Sequence, residues 1–377
     1  MTTLTNRVES RPLGTPAGLL SGWDHLEWWV GNARAAAHFL MAGFGFSCTA
    51  YAGPETGVRD RASYVLEQND IRLVVTAGLA GRSEVADHVR RHGDGVRTIA
   101  WATTDVDGCF ATATERGASA VAEPGDHADA SGSVRRAVIG AFGSTELAFV
   151  DRSAYDGPFG PGFSAEQVPT LSIGRPVGLD RVDHVVGNVE KGRLDEWVEW
   201  YRRVLGFTEM RHFDADQIST EFSALRSTVM WNGDGVVVPL NEPAEGSRRS
   251  QIQEYLDAYT EPGVQHIALR TSDIIGAVDE MRTRGIRFLT PPETYYEDAR
   301  LRCGDIDVPW RDLQRLGVLV DVDAGGHLLQ VFTETLGDRP TLFVEVIQRV
   351  GATGFGEGNF KALFEAIERD QGRRGNL

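Results

Sequence analysis

The sequence predicts an α+β fold in which paired βαβββ modules build two domains, each pair curling into a half-open barrel. Two observations predict it. The chain repeats itself in order, and short apolar runs of strand character alternate with single amphipathic helices. A third observation points toward chemistry: three of the apolar runs each carry one metal-competent side chain.

The repeat is weak but collinear. Asp24-His25 precedes Val30-Gly31-Asn32, a helical stretch and then Gly43-Phe44-Gly45-Phe46. Asp183-His184 precedes Val186-Gly187-Asn188, a helical stretch and then Leu205-Gly206-Phe207. Further on, Gly95 to Ala100 leads to Thr104-Asp105-Val106, and Gly263 to Ala268 leads to Ser272-Asp273-Ile274. The offset is 159 residues at the first match and 168 at the second, a drift that one small indel absorbs. The two copies are residues 1–155 and 177–377. The joining stretch 156–176 holds Gly157, Pro158, Gly160, Pro161, Gly162, Pro169 and Gly174, the composition of an ordered linker.

Within the second copy, Leu194, Trp197, Val198, Tyr201, Val204 and Leu205 recur at helical spacing. Ile274 to Arg284 reads the same way and stops at Gly285. Val236 to Leu240, Val264 to Leu269 and Leu328 to Phe332 read as strands. Asn359 to Arg369 sets Phe360, Leu363, Phe364 and Ile367 on one face of a terminal helix.

A chain of 377 residues exceeds one ordinary core and suits two domains. Its 41% hydrophobic and 24% charged residues exclude disorder as the native state. A net charge of −16 argues against nucleic acid or anionic membrane as partner. Cys48, Cys109 and Cys303 form no paired motif and read as reduced thiols. Residues 1–16 lack an apolar core of the signal-peptide kind, and no apolar run reaches the length of a membrane span. The expectation is a cytoplasmic protein.

His184, His266 and Glu345 are the three metal-competent residues, 82 and 79 residues apart, each inside its own predicted strand. Two imidazoles and one carboxylate delivered by separate strands can cap one face of a divalent metal and leave the other open. That is the ligand set of non-haem Fe(II) oxygen chemistry, and cobalt or nickel would fit the same donors. The first copy has His25 in the place of His184, Thr98 in the place of His266, and no clear counterpart of Glu345 near Ala148. It reads as metal-free scaffold. His88 and His92, four apart on a predicted helix, read as a solvated face, and His212 and His327 as surface or turn residues. The Gly354-Phe355-Gly356-Glu357-Gly358 run lacks the glycine spacing and strand-to-helix context of a nucleotide loop.

With these segments in view, the chain resembles the 4-hydroxyphenylpyruvate dioxygenase family of the vicinal oxygen chelate superfamily. The matching segments are Asp183 to Val189, Pro239 to Pro243, Ser250 to Ile252, Gly263 to Leu269, Leu328 to Thr333, Asp338 to Phe343 and Gly354 to Phe360. The resemblance spans nearly the whole chain and is dense from about Leu179 onward. It implies two vicinal-oxygen-chelate-type domains and a C-terminal lid helix. It implies Fe(II) on His184, His266 and Glu345, and conversion of 4-hydroxyphenylpyruvate and O2 to homogentisate and CO2 in tyrosine and phenylalanine catabolism. It further implies a homo-oligomer, dimer or tetramer.

By position, Gln251, Gln265 and Gln330 match the family's glutamines around metal and substrate. Ser227 and Asn241 match polar residues that orient the phenol, and Phe332, Phe343, Phe355 and Phe360 match the aromatic wall. By strand alternation Gln265 points away from His266, which suggests a supporting role. Arg226 and Trp231 beside Ser227, and Arg302-Cys303 and Trp310 in a variable insert, depart from the family pattern. The sister activity, 4-hydroxymandelate synthesis from the same substrate, goes with an aliphatic residue at the position of Phe360 and a changed Pro-Leu-Asn segment; this chain keeps Pro239, Asn241 and Phe360. A metal-free protein that binds an aromatic ligand is the third reading.

Overall fold

The computed structural model describes residues 15–168, 175–214, 224–246 and 248–375. Most of the polar N-terminal stretch, and Pro169 and Gly174 of the linker, lie outside the described residues.

The first domain opens with a short helix, α1 (Pro16–Leu19), and β1 (Leu20–Trp29). Then come α2 (Ala33–Phe44), β2 (Ser47–Ala52), β3 (Arg61–Gln68) and β4 (Ile71–Gly78). After α3 (Glu84–His92) the module recurs as β5 (Gly95–Thr103), α4 (Val106–Glu115), β6 (Ala120–Asp129), β7 (Gly132–Gly140) and β8 (Glu146–Tyr155). The second domain has β9 (Leu179–Asn188), α5 (Leu194–Trp200), β10 (Thr208–Phe213), β11 (Leu225–Trp231) and β12 (Val237–Pro243). After α6 (Gln251–Tyr259) come β13 (Gly263–Thr271), α7 (Ile274–Thr283), the helical insert α8 (Glu293–Cys303) and α9 (Trp310–Leu316), then β14 (Leu319–Asp323), β15 (Gly326–Phe332) and β16 (Phe343–Val350). The chain ends on α10 (Phe360–Arg374).

Local chemistry accounts for the helices. Asn32 caps α2 through the Ala35 N–H, and Gly45 ends it at φ 74°. The repeated Asp105 and Asp273 are N-caps, bonded to the Gly108 and Gly276 N–H groups. The predicted helix from Leu194 to Leu205 is present, but its last turn, Tyr201–Leu205, widens to π geometry. There the Tyr201 ring packs between Trp200 and Phe207, at 5.3 and 5.6 Å.

Both sheets have eight strands in the same order: β2-β3-β4-β1-β5-β8-β7-β6, and β10-β11-β12-β9-β13-β16-β15-β14. Each is two four-strand modules joined at an antiparallel central pair, β1 with β5 and β9 with β13. One continuous apolar cluster runs through both domains. Trp101 of the first packs on Phe207 of the second at 5.6 Å, and Phe142 meets Trp197 edge-on at 5.9 Å.

This junction leaves no spare room. A methyl group on Gly187 would lie 2.6 Å from the Phe142 ring. Gly187→Ala is therefore expected to lower unfolding free energy by about 1–3 kcal/mol, read by urea denaturation; an unchanged midpoint would mean that the ring moves aside freely.

The structure corrects one expectation about the histidines. His88 and His92 do not form a solvated face: each is 2% exposed, buried where α3 meets the second domain. His92 Nδ1 lies 2.6 Å from the Tyr259 carbonyl, and His88 Nε2 lies 3.3 Å from the Tyr259 hydroxyl. They clasp the end of α6, an interdomain contact that helical spacing alone could not reveal. His212 and His327 sit in strands β10 and β15; His212 is exposed, as the surface reading expects, and His327 is half-buried.

Candidate metal centre

Register places the ligands. β13 lies between β9 and β16, and Ala268 pairs with both His184 and Glu345. One row along, His266 pairs with Val186 and Phe343. Side chains two apart on a strand share a face, so His184, His266 and Glu345 converge on the concave side. Among the described residues they form the only group of three or more metal-competent side chains with ligand atoms within 4.8 Å of one another. Glu345 Oε2 is 3.2 Å from His184 Nε2 and 3.4 Å from His266 Nε2. Donors at right angles on bonds of about 2.1 Å stand about 3 Å apart, so this group suits three facial positions of one divalent ion.

Supporting contacts aim both Nε2 atoms at the cavity. His184 Nδ1 donates to Asp183 Oδ1 at 2.8 Å, and Arg349 grips that carboxylate twice, at 2.8 Å each. Arg349 also reaches the Gly354 carbonyl at 2.5 Å and stands over the Phe355 ring at 5.3 Å. His266 Nδ1 donates to Gln265 Oε1 at 3.0 Å, and its ring stacks on Phe343 at 4.8 Å. Holding Nδ1 in this way fixes the tautomer a metal needs.

The expectation that Gln265 points away from the site is overturned. The β9–β13 ladder passes from Val264 to His266 with Gln265 left over as a bulge. A bulge breaks the alternation, so Gln265 and His266 both line the cavity.

Burial and charge set the protonation of the metal-free group. Burial pulls the His184 pKa down, but the Glu345 charge and the Asp183 hydrogen bond outweigh it and hold it at about 9. Burial pushes Glu345 up, yet the two imidazoles bring it below its ordinary value. Burial keeps the His266 pKa low. At pH 7 the group is thus a His184 imidazolium paired with the Glu345 carboxylate beside a neutral His266.

A metal must displace the His184 proton, so its affinity is expected to rise about tenfold per pH unit from 7 toward 9. Binding at pH 7 should release about one proton. Calorimetry with Co(II) in buffers of different ionisation heat checks this; zero proton release would contradict the pairing.

The predicted pocket residues are brought together. Ser227 pairs in register with Asn241 on the neighbouring strand, and both line the cavity with Gln251 and Gln330. Phe332, Phe343, Phe355 and Phe360 form its walls. Gln330 Oε1 is buried with no hydrogen-bond partner among the described residues. The Gly356 backbone packs against this amide at φ 77°, where a Cβ would lie 2.5 Å from Oε1. The predicted terminal-helix face, Phe360, Leu363, Phe364 and Ile367, closes one side. Phe360 meets Phe213 edge-on at 5.2 Å, and Arg374 ties the helix to Glu254 of α6 at 2.8 and 3.0 Å.

Sequence reasoning missed Val186, Phe213, Leu225 and Val229, which also line the cavity. Alternation from Ser227 would have found Leu225 and Val229 and alternation from His184 would have found Val186; nothing local marks Phe213. In the first domain the equivalent row is His25, Ala100 and Ala148. Ala148 therefore occupies the place of Glu345, and Thr98 that of His266.

Residues 22–142 and 181–307 match the Glyoxalase/Bleomycin resistance protein/Dioxygenase superfamily. A protein named 4-hydroxyphenylpyruvate dioxygenase from Dictyostelium discoideum is 46% identical over 95% of this chain and 100% of its own. The chain belongs to the 4-hydroxyphenylpyruvate dioxygenase family. A member from Xenopus tropicalis is 44% identical over 100% of this chain and 97% of its own. Among solved structures, a mutant of 4-hydroxymandelate synthase from Streptomyces coelicolor superposes with a TM-score of 0.83 at 34% identity, covering 94% of this chain and 99% of that one. The chain is thus an enzyme of a metal-dependent family, and it carries a buried two-histidine, one-glutamate group.

Proposed function

We propose that this enzyme converts 4-hydroxyphenylpyruvate and O2 to homogentisate and CO2, with Fe(II) held by His184, His266 and Glu345. The observation that carries the reading is a compact three-donor group opening into an aromatic cavity, in a chain 46% identical to a relative of that name. Fe(II) bound there would supply open positions where a 2-oxo acid and O2 meet, the substrate's own decarboxylation providing electrons.

The chain's residues do the rest. Asp183 and Gln265 hold the two imidazoles with Nε2 forward. The phenylalanine walls accept the ring, and the Ser227–Asn241 pair takes its phenol hydroxyl. Gln251 and Gln330 offer amides that bind polar groups without competing for the metal. The terminal helix excludes bulk water from a reactive site. We place the enzyme in tyrosine and phenylalanine catabolism, in the cytoplasm, as a homo-oligomer.

The test is anaerobic reconstitution with Fe(II), followed by O2 and 4-hydroxyphenylpyruvate, with products identified by mass and NMR. Homogentisate with stoichiometric CO2 is expected. The structural likeness to 4-hydroxymandelate synthase keeps that product as the second reading, and its appearance would replace the first. Absence of O2 uptake would sink both.

A further inference from the structure

Outside the catalytic half, the concave face of the first sheet encloses a cavity of about 780 Å³, the size of a small-ligand pocket. It is constructed like the catalytic one. His25 Nδ1 donates to Asp24 at 2.5 Å, and Arg152 grips Asp24 twice at 2.8 Å, as Arg349 grips Asp183. Phe159 lies edge-on to His25 at 5.1 Å with the Arg152 guanidinium over its ring at 4.3 Å, matching Phe355. The segment bearing Phe159 and Phe163 lines this cavity and is pinned by a two-hydrogen-bond bridge between Ser164 and Tyr51.

The floor differs. Where the catalytic half has Val186, His266 and Phe343 in one row, this half has Glu27, Thr98 and Glu146. All three line the cavity, with His25. His25 is 6% exposed, and burial keeps it neutral. Its Nδ1 is committed to Asp24, and its Nε2, an acceptor, has no partner among the described residues. Among the described residues Glu27 takes hydrogen bonds only from uncharged groups, the Thr76 hydroxyl at 2.8 Å and the Trp29 indole at 3.3 Å. Glu146 shares Arg97 with Glu84.

The other charges on the wall are mostly spent: Arg61 on Asp60, Arg152 on Asp24, Asp126 on Arg135. Arg136 lines the cavity too and makes no side-chain hydrogen bond or ion pair among the described residues; it stands on β7 opposite Val150, two same-face rows from Glu146, and its charge partly offsets the burial of that carboxylate.

We propose that this cavity is a second ligand site, for a small organic ammonium with an apolar or aromatic body. The ammonium donates to Glu27, Glu146 and His25 Nε2, and the body lies among Trp29, Phe159 and Phe163. Among the described residues a bare metal ion finds no compact three-donor group here. An anion would face two carboxylates, and a hydrocarbon would leave His25 Nε2 without a donor and cover two carboxylates whose acceptor capacity is only partly used.

The test is calorimetric titration of the full-length, Co(II)-loaded protein with phenethylamine, 2-phenylethanol and phenylacetate. Phenethylamine is expected to bind at about 1 mM or tighter, and the neutral and anionic probes at least about tenfold more weakly. Glu27→Gln keeps an acceptor for Thr76 and Trp29; it should weaken the amine about tenfold while leaving turnover and melting unchanged. Glu345→Gln should leave amine binding intact. Should Glu27→Gln melt early, Glu146→Gln gives the same comparison. Equal binding of the three probes, no amine binding at about 10 mM, or amine binding lost in Glu345→Gln but kept in Glu27→Gln, would overturn the proposal.

Discussion

Glu345→Gln is expected to lower homogentisate formation on the order of 1000-fold, about 4 kcal/mol of transition-state stabilisation, while the fold persists. The side chain is 3% exposed, on β16 between the His184 and His266 rings. A carboxylate offers the metal a negative, strongly donating oxygen; an amide of the same shape offers a neutral, weak one. The substitution also removes the charge that holds His184 protonated in the metal-free protein, so the His184 pKa should fall below about 9. The buried group then loses an anion and a cation together, which limits the stability cost. Metal content by elemental analysis, O2 uptake and thermal melting check this together. Normal turnover with full metal would show that Glu345 is not a ligand.

Asn241→Leu is expected to reduce kcat/KM for 4-hydroxyphenylpyruvate roughly 100-fold, about 2.7 kcal/mol. Asn241 is buried on β12, paired in register with Ser227, and lines the cavity. Its side-chain amide makes no hydrogen bond among the described residues. A buried amide without a partner suits a substrate hydroxyl, and leucine of similar volume removes one of that hydroxyl's two partners, leaving Ser227 alone. The substrate lacking it, phenylpyruvate, loses nothing by the change, so the preference between the two should collapse. Steady-state kinetics with both substrates decides the point. Equal losses for the two would make Asn241 a structural residue.

The duplicated architecture was legible because strand and helix periodicities recur in order, from Asp24-His25 to Asp183-His184 and from Gly95 to Gly263. The repeat also marked Asp105 and Asp273 at matching places, which the structure shows to be the N-caps of their helices. His184, His266 and Glu345 stood out because each sits inside an apolar run of strand character. Less visible was whatever depends on how strands pair. Gln265 enters the pocket through a bulge that exists only in the β9–β13 ladder. Arg349 reaches Asp183 across 166 residues of chain. His88 and His92 look amphipathic along their helix, yet a second domain covers them.

By itself the sequence determined the repeated βαβββ modules, the ligand types and the apolar face of the terminal helix. These follow from local periodicity and from the chemistry of single side chains. Strand pairing was needed to show that His184, Ala268 and Glu345 share one row, that an aspartate and an arginine stand behind His184, and that Ala148 of the first domain stands where the second has Glu345. Those facts belong to strand register. Register is fixed by long-range pairing and by burial of one face, which no window of sequence contains.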